Sequence, residues 1–159
     1  MKKKNILIFI PAYNVEKKIY SVVSRIPKEI FEKNTIDLLI INDFSSDKTN
    51  LEIERIKNDY NYKINVFNPD KNLGYGGVQK YAFNYAISNS YDYIIMLHGD
   101  GQYLPEKLPD FIEEFNDNNL DGVFGSRMKS YSGALKGGMP LYKFLGNIGL
   151  TFIQNLILG

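Results

Sequence analysis

The sequence contains no cysteine among its 159 residues, no tryptophan and only one histidine. Without cysteine the chain can form neither a disulfide scaffold nor a Cys-ligated zinc or iron–sulfur site, and it offers no thiol nucleophile. An excess of one charge sign is also lacking, because 19 Lys and Arg residues face 18 Asp and Glu residues. This balance argues against a dedicated nucleic-acid-binding protein, which normally carries a basic patch.

Long hydrophobic runs are scarce as well. The apolar run at 6–10 follows three lysines, as in a signal peptide, but it is too short and is interrupted by Pro11. We therefore interpret it as a buried strand. The apolar tail at 150–159 is shorter than the roughly 20 residues that a bilayer requires. It is consistent with a buried helix, a membrane-surface helix or the cut end of a longer segment.

What the sequence does show is an alternation of short apolar runs with segments of helical spacing. The runs predict strands at 6–10, 38–41, 64–67, 93–97 and 122–125. The spacing predicts helices at 15–30, 47–59, 78–85 and 108–115, and a last helix from about Leu141. This order is typical of an α/β fold, with a Rossmann-like, mainly parallel sheet flanked by helices on both faces. We expect a single domain over 1–159.

Polar residues follow every predicted strand, at 11–14, 42–47, 68–74, 98–102 and 126–127. Ligands of such folds bind beyond the carboxyl ends of the strands. Asp43 lies at a strand exit, where a carboxylate could accept hydrogen bonds from a nucleotide base. Arg127 could bind phosphate through its planar guanidinium, or form a surface ion pair. Asp47, Ser45 or Ser46 could simply cap the following helix.

The glycine pattern argues against two common nucleotide-binding motifs. The turn after the first predicted strand contains no glycine, and no Walker A sequence is present. The segment 74–77 is glycine-rich, but it follows the third predicted strand and lacks the third glycine of the dinucleotide fingerprint. A Rossmann dehydrogenase is therefore disfavoured.

The segment 98–102, His-Gly-Asp-Gly-Gln, is the most informative for chemistry. His98 and Asp100 point to one side if the strand pleat continues, and Gln102 is two residues further on. Together with diphosphate oxygens, these three side chains could hold Mg²⁺ or Mn²⁺, and the nitrogen ligand favours Mn²⁺. Gly99 would let a ligand approach the backbone. The alternative is a turn in which Asp100 is a cap and His98 is only hydrogen-bonded.

Five motifs occur in order along almost the whole chain. They are Ile10-Pro11-Ala12-Tyr13-Asn14, the segment 41–49, Asn72-Leu73-Gly74-Tyr75-Gly76-Gly77, the segment 98–102 with Pro105, and Gly125-Ser126-Arg127. In these motifs the chain resembles the family 2 inverting glycosyltransferases of the GT-A fold, especially the dolichol-phosphate mannosyltransferase-like branch.

The resemblance implies a role for each matching residue. The nucleotide-sugar site would comprise Pro11, Tyr13, Asp43, Gly99, Asp100 and Arg127. The catalytic residues would be Asp100 and Arg127, and the metal, Mg²⁺ or Mn²⁺, would be held by His98, Asp100 and Gln102. The acceptor phosphate would lie near Lys143 and Asn147.

The implied reaction is direct displacement at the anomeric carbon of a UDP- or GDP-type sugar nucleotide. The acceptor would be a polyprenyl or dolichyl phosphate or a cell-envelope glycan, with no nucleic-acid partner. Related enzymes continue beyond the position of Gly159, so we expect a truncated chain. We also expect a cytoplasmic protein, with the full-length form at the inner face of the membrane.

Three departures from the family pattern leave alternatives open. His98 replaces the first aspartate of Asp-x-Asp, Asn42 replaces the first aspartate of the second motif, and Val15 replaces an acidic residue. A non-catalytic nucleotide-sugar- or carbohydrate-binding domain is one alternative. A sugar nucleotidyltransferase is another, although that class usually has a glycine-rich loop after its first strand.

Overall fold

The computed structural model describes residues 3–117, 120–125 and 140–158. The chain divides into two compact units, one up to residue 118 and the other from residue 119 onward. The first unit contains the whole of the described sheet.

The sheet has four strands, all parallel, in the spatial order β3-β2-β1-β4. The strands are β1 (Asn5–Ala12), β2 (Thr35–Asn42), β3 (Lys63–Phe67) and β4 (Tyr93–Met96). Ile8 in β1 lies opposite Leu38 of β2 and Ile95 of β4. The apolar runs in β1 and β2 are continuous because both strands are buried on both faces, as the sequence predicts.

One or two helices follow each of the four strands. They are α1 (Ile19–Ser24), α2 (Glu29–Lys33), α3 (Thr49–Asp59), α4 (Gly74–Ser88) and α5 (Leu108–Asp117), with a 3₁₀ turn at Pro105–Lys107 before α5. The predicted positions of α3, α4 and α5 are confirmed.

The core lies on both faces of the sheet. Ile6, Ile8 and Ile10 of β1 belong to one cluster, which also contains residues of α1, α2, α3 and α5. Leu7 and Phe9 belong to the opposite cluster, which contains residues of α4. Because successive strand residues point to opposite faces, one apolar run supplies both clusters. The prediction of helices on both faces is confirmed.

Two predicted elements differ from the structure. The helix expected at 15–30 is replaced by α1 and α2, because Pro27 cannot donate a helical hydrogen bond and disfavours helical backbone in the residue before it. The strand expected at 122–125 is not formed, and Phe124 is 95% exposed. The glycines on either side of Val123 and Phe124 leave only two residues with side chains that could stabilise a strand.

The second unit contains the helix α6 (Leu141–Leu158), as predicted. Lys143 and Asn147 lie one turn apart on it, and most of its apolar side chains are exposed, including Phe152 and Leu156. Among the helices in the described ranges, none is both long enough and apolar enough to cross a membrane.

A buried carboxylate joins three segments near the amino ends of the strands. Asp37 in β2 is only 6% exposed, and it accepts hydrogen bonds of 2.5 Å from the Tyr91 hydroxyl and from Nζ of Lys63 in β3. Burial raises the pKa of Tyr91 above its ordinary value, and the hydrogen bond to Asp37 raises it further. The hydrogen bond to Asp37 also raises the pKa of Lys63.

We expect Asp37→Ala to lower the free energy of unfolding by about 1–3 kcal/mol, because it leaves the half-buried Tyr91 hydroxyl without its acceptor. Lys63→Ala is the matched control and should cost less than about 1 kcal/mol, because the Lys63 side chain is 68% exposed. Urea unfolding followed by circular dichroism measures both values. If the two variants lose the same free energy of unfolding, the hydrogen bond from Tyr91 is not the main contribution of Asp37 to stability.

Alkaline pH should destabilise the protein in part through Tyr91. The pKa of Tyr91 is raised by folding, so the unfolded chain releases this proton first, near pH 10, and stability falls as pH rises further. Tyr91→Phe should therefore show a shallower loss of unfolding free energy between about pH 9 and 11. Phe152→Leu, an exposed substitution that removes no titratable group, should keep the wild-type slope. An unchanged slope in Tyr91→Phe would refute this assignment.

Candidate functional site

The candidate site lies where the strand order reverses. From β1 the chain proceeds outward to β2 and β3 on one side and then returns to β4 on the other, so the crevice between β1 and β4 is the switch point of the sheet. Ligands of open α/β sheets bind at such a point, beyond the carboxyl ends of the strands. The backbone N–H of Gly99 donates to the carbonyl of Pro11 at 3.2 Å, so the structure brings together the segments that follow β4 and end β1.

Gly99 is required by the close approach of these two segments. A Cβ atom at this position would lie 2.9 Å from the carbonyl oxygen of Pro11 and 3.4 Å from Cγ2 of Ile10. Gly99 is itself buried. In the structure, Gly99 packs closely against the backbone of Pro11. The sequence predicted that Gly99 lets a ligand approach, and it did not predict this packing against Pro11.

The segment after β4 is a turn. The strand ends at Met96, Gly99 and Asp100 are in a turn, and Gly101 has a φ of +73°. Oδ1 of Asp100 accepts a hydrogen bond of 3.0 Å from the backbone N–H of Gln102. The strand pleat therefore does not extend to Asp100, so strand alternation does not place His98 and Asp100 on one side. The alternative prediction, a turn with Asp100 as its cap, describes the local backbone.

The His98 ring contacts two tyrosine rings. Its centroid lies 4.9 Å from that of Tyr103 and 5.8 Å from that of Tyr75. The side chain is half-buried, whereas Gln102 is exposed. Sequence reasoning did not identify either tyrosine: Tyr75 lies in the first turn of α4, far from His98 in the sequence, and Tyr103 lies in the same segment after β4 as His98.

Asp43 is buried at the exit of β2, with 5% of its surface exposed. Its carboxylate accepts hydrogen bonds from the backbone N–H groups of Leu73 at 2.6 Å and Gly74 at 3.0 Å. Nδ2 of Asn72 donates to the backbone carbonyl of Asp43 at 3.0 Å. Asp43 thus fixes the Asn-Leu-Gly turn before α4, a contact that the sequence interpretation did not predict.

The loops after β1 and β2 are joined by side-chain hydrogen bonds. The backbone N–H of Asn14 donates to Oγ of Ser45, and Oδ1 of Asn14 accepts from the backbone N–H of Ser46. The backbone N–H of Val15 donates to Oγ1 of Thr49, which is fully buried. Asn14 has a φ of +52°, a conformation that asparagine tolerates better than most residues. Asn14 and Thr49 therefore hold the two loops together.

Asp47 takes part in the same junction. Its carboxylate accepts from the backbone N–H of Glu16 at 3.1 Å and of Thr49, the first residue of α3, at 2.9 Å. Burial raises the pKa of Asp47, but the hydrogen bonds from Thr49 and Glu16 outweigh it, and the net effect lowers the pKa. The predicted role of Asp47 at the start of this helix is consistent with the bond to Thr49.

Two aromatic side chains lie exposed at the strand exits. Tyr13, after β1, is 56% exposed, and Phe44, after β2, is 57% exposed with a φ of +61°. Pro11, at the end of β1, is half-buried. These residues leave apolar ring surface accessible on the same edge of the sheet as Asp43.

The donor set for a metal ion is small. Within the described ranges, no group of three or more His, Asp or Glu side chains is arranged to hold an ion. The segment after β4 offers one carboxylate, Asp100, and one side-chain amide, Gln102. Both are oxygen donors of the kind that Mg²⁺ or Mn²⁺ accepts, and phosphate oxygens of a bound ligand would complete the coordination.

Three further predicted site residues lie outside the described part of the first unit. Arg127 lies outside the described residues. Lys143 and Asn147 are one turn apart on α6, in the second unit.

Comparison with known proteins gives a consistent result. The family model described as Glycosyl transferase family 2 matches residues 7–155. A UDP-N-acetylglucosamine–dolichyl-phosphate N-acetylglucosaminyltransferase from Methanococcus voltae is 29% identical over 170 aligned positions, which cover 100% of this chain and 65% of the relative. The poly(ribitol-phosphate) β-N-acetylglucosaminyltransferase TarS from Staphylococcus aureus is 25% identical over 137 positions, covering 86% of this chain and 22% of the relative.

Two solved structures share the fold. A Pyrobaculum calidifontis mannosyltransferase in complex with GDP-Man and Mn²⁺ aligns with a TM-score of 0.62 at 12% identity, over 84% of this chain and 39% of the other. Residues 1–349 of Staphylococcus aureus TarS in complex with UDP align with a TM-score of 0.52 at 20% identity, over 79% and 40%.

The chain spans about 60–65% of the length of the first curated relatives that it matches. The family match nevertheless includes β1 to β4, the turn at 98–102 and most of α6. The chain therefore belongs to glycosyltransferase family 2 and has the GT-A fold.

Proposed function

We propose that this chain binds a nucleotide sugar and, within the whole protein, transfers the sugar to an acceptor by inverting displacement. The observation that carries the proposal is the junction of the Pro11 and Gly99 segments at the switch point, with Asp43 at the neighbouring strand exit. Membership of glycosyltransferase family 2 supports the reaction class.

The base and ribose would bind at the exits of β1 and β2. Pro11 and the exposed ring of Tyr13 offer apolar surface there. Asp43 would accept hydrogen bonds from the base. Its two oxygens each accept one backbone hydrogen bond, and a carboxylate oxygen can accept a second.

The diphosphate would lie beside the turn after β4, with the backbone at Gly99 against it. Asp100 and Gln102 would hold Mg²⁺ or Mn²⁺ together with the phosphate oxygens, and His98 would be an altered ligand or a phosphate donor. The ion supplies Lewis-acid stabilisation of the departing nucleoside diphosphate. We assign phosphate binding to Arg127.

The acceptor proposed here is a polyprenyl or dolichyl phosphate, with a cell-envelope glycan as the other acceptor class. The name of the Methanococcus voltae relative includes a dolichyl-phosphate acceptor. A phosphate acceptor is already anionic, so its attack on the anomeric carbon needs no general base, whereas a hydroxyl acceptor needs one. Lys143 and Asn147 would bind the acceptor phosphate. Such an acceptor would place the whole protein in the cytoplasm at the inner face of the membrane.

One observation favours a second candidate function, that of a non-catalytic nucleotide-sugar-binding domain. His98 stands where the family carries an aspartate, which reduces the negative charge available to a metal ion. Sugar transfer by the full-length protein, measured with and without Mn²⁺, separates the two functions. Turnover supports the enzyme, and nucleotide-sugar binding without turnover on any acceptor supports the binding domain.

The direct test of the proposed function is calorimetry with UDP-GlcNAc, GDP-mannose and dTDP-glucose, each with and without Mn²⁺. We expect one of these nucleotide sugars to bind, and to bind more tightly with the ion. If none of the three binds to the folded protein under either condition, the proposal is wrong.

Asp43→Ala should weaken nucleoside diphosphate binding. Loss of a hydrogen bond to a charged acceptor costs about 1.5–3 kcal/mol, which corresponds to about tenfold or more in affinity. Asp70→Ala is the matched control, because it removes an exposed carboxylate from the loop between β3 and α4. Calorimetry with the preferred nucleotide measures both variants. Wild-type affinity in a folded Asp43→Ala protein would remove Asp43 from the binding site.

Asp100→Ala should abolish most of the Mn²⁺ dependence of nucleotide binding, because it removes the only carboxylate in the segment 98–102. His98→Ala should weaken the Mn²⁺ effect but leave part of it, and His98→Asp should shift the preference toward Mg²⁺, which favours oxygen ligands. Nucleotide affinity measured against each ion gives the comparison. A larger loss in His98→Ala than in Asp100→Ala would reverse the assignment of the principal ligand.

A further inference from the structure

The start of α4 is fixed from outside the helix by Asp43. The residue that precedes the helix, Leu73, makes no side-chain capping bond. The carboxylate of Asp43 instead accepts from the N–H groups of Leu73 and Gly74, and Oδ1 of Asn72 also accepts from Gly74 at 3.0 Å. Gly74 has a φ of +69°, so the chain enters the helix through a left-handed residue. Asp43 thereby determines where the first turn of α4 begins.

The next residue, Tyr75, places its ring against His98. The two ring centroids are 5.8 Å apart with an interplanar angle of 33°. The Tyr75 hydroxyl donates to Sδ of Met96 at 3.7 Å, and Nε2 of Gln79 donates to the same sulfur at 3.7 Å. The Tyr75 side chain is therefore fixed at its Cβ by the backbone of α4 and at its hydroxyl by Met96, the last residue of β4.

Tyr75, His98 and Tyr103 together form what we call the ring cluster. The His98 and Tyr103 centroids are 4.9 Å apart at an interplanar angle of 43°. Tyr75 is 56% exposed and Tyr103 is 39% exposed, although both contact the histidine. The cluster thus presents aromatic surface to solvent, and two of its members lie within three residues of Asp100 in the sequence.

We propose that Asp43 is a positioning residue that holds Tyr75 against His98, and that the ring cluster packs against the sugar of the nucleotide sugar. The identity of this ligand rests on the proposed function. In this positioning role Asp43 acts through the backbone of Leu73 and Gly74, whereas Tyr75 contacts the sugar. This role is additional to hydrogen bonding with the base.

The chemistry of the ligand favours the sugar as the group that meets the ring cluster. In the proposed site the base lies near Pro11 and Tyr13, and the diphosphate lies near Asp100. The sugar is bonded to the diphosphate, and the ring cluster includes His98 and Tyr103, each within three residues of Asp100. A pyranose presents apolar C–H faces, and burying these against aromatic rings removes apolar surface from water.

The positioning step can be tested without any ligand. His98 is the only histidine, so its ring protons give one assignable set of NMR signals that reports ring currents from Tyr75 and Tyr103. Tyr75→Leu should shift these signals. Asp43→Asn should shift them in the same direction, because the asparagine side chain offers a single acceptor oxygen to Leu73 and Gly74.

Two control variants keep this test specific. Asp70→Asn removes an exposed carboxylate from the loop before α4, and Phe83→Leu removes a ring from the same helix, where it contacts Phe9. Both should leave the His98 signals at their wild-type positions. A shift with Tyr75→Leu but none with Asp43→Asn would overturn the positioning role of Asp43.

The ligand step is tested by comparing UDP-GlcNAc with UDP, and GDP-mannose with GDP, by calorimetry. Tyr75→Leu should reduce the affinity ratio of the sugar nucleotide to its nucleoside diphosphate by about threefold to tenfold. Asp43→Asn should reduce the same ratio, whatever it does to the nucleoside diphosphate alone. An unchanged ratio in Tyr75→Leu would overturn the assignment of the sugar to the ring cluster.

These results separate the two proposals. If the wild-type protein binds none of these nucleotides, the proposed function fails and the assignment of the sugar fails with it, but the NMR comparison still decides whether Asp43 positions Tyr75. If the nucleotides bind and the ratios do not change, the proposed function stands and the role of the ring cluster is wrong.

Discussion

The position of β1 at the centre of the sheet is the constraint on which the site depends. All of its residues from Ile6 to Ile10 are essentially inaccessible to solvent, and parallel strands flank it on both sides. Since its neighbours run in the same direction, their carboxyl ends meet at one edge. Burial of apolar residues far from the site thus determines which polar residues can meet there.

Much of the polar sequence at that edge is used to join loops. Asp43, Asn14 and Thr49 all occur in motifs shared with the family, and each accepts backbone hydrogen bonds from another loop. The half-buried N–H groups of Leu73 and Val15 need such acceptors, because leaving one unpaired costs about 1–3 kcal/mol, whereas the bond from Ser46 to Asn14 is exposed. A motif residue can therefore be required for the shape of the site even where it also contacts the ligand.

The sequence predicted the strands well because their signal is local. A continuous apolar run of four to five residues identifies a buried strand without knowledge of its neighbours. Pro27 could have corrected the predicted long helix, since it disfavours helical backbone before it. The two-residue segment between Gly122 and Gly125 was too short for an apolar run to be informative. The two core faces followed from general rules for parallel sheets rather than from individual residues, whereas the strand order was not predicted from the sequence.

Most contacts within the site could not be predicted in the same way, because they join residues of different loops, such as Asp43 and Leu73, which are 30 positions apart. Nothing in the spacing of Asp43 and Leu73 indicates a hydrogen bond between them, and nothing links Tyr75 to His98. The turn after β4 was also ambiguous, since alternation would put His98 and Asp100 on one side only if the strand continued. The strand ends at Met96, before both glycines of that segment, and the turn that follows contains Gly101 with a positive φ.

The histidine after β4 changes the balance of charge in the proposed metal site. A carboxylate pair would attract a divalent ion before any nucleotide arrives, whereas Asp100 alone supplies a single negative charge in the segment 98–102. The diphosphate must then contribute most of the charge that neutralises the ion. In a site of this kind the ion and the nucleotide depend on each other, so each should bind weakly alone. His98, which replaces the first aspartate of the family pattern, contacts the rings of Tyr75 and Tyr103, so the loss of a carboxylate at this position is accompanied by aromatic contacts.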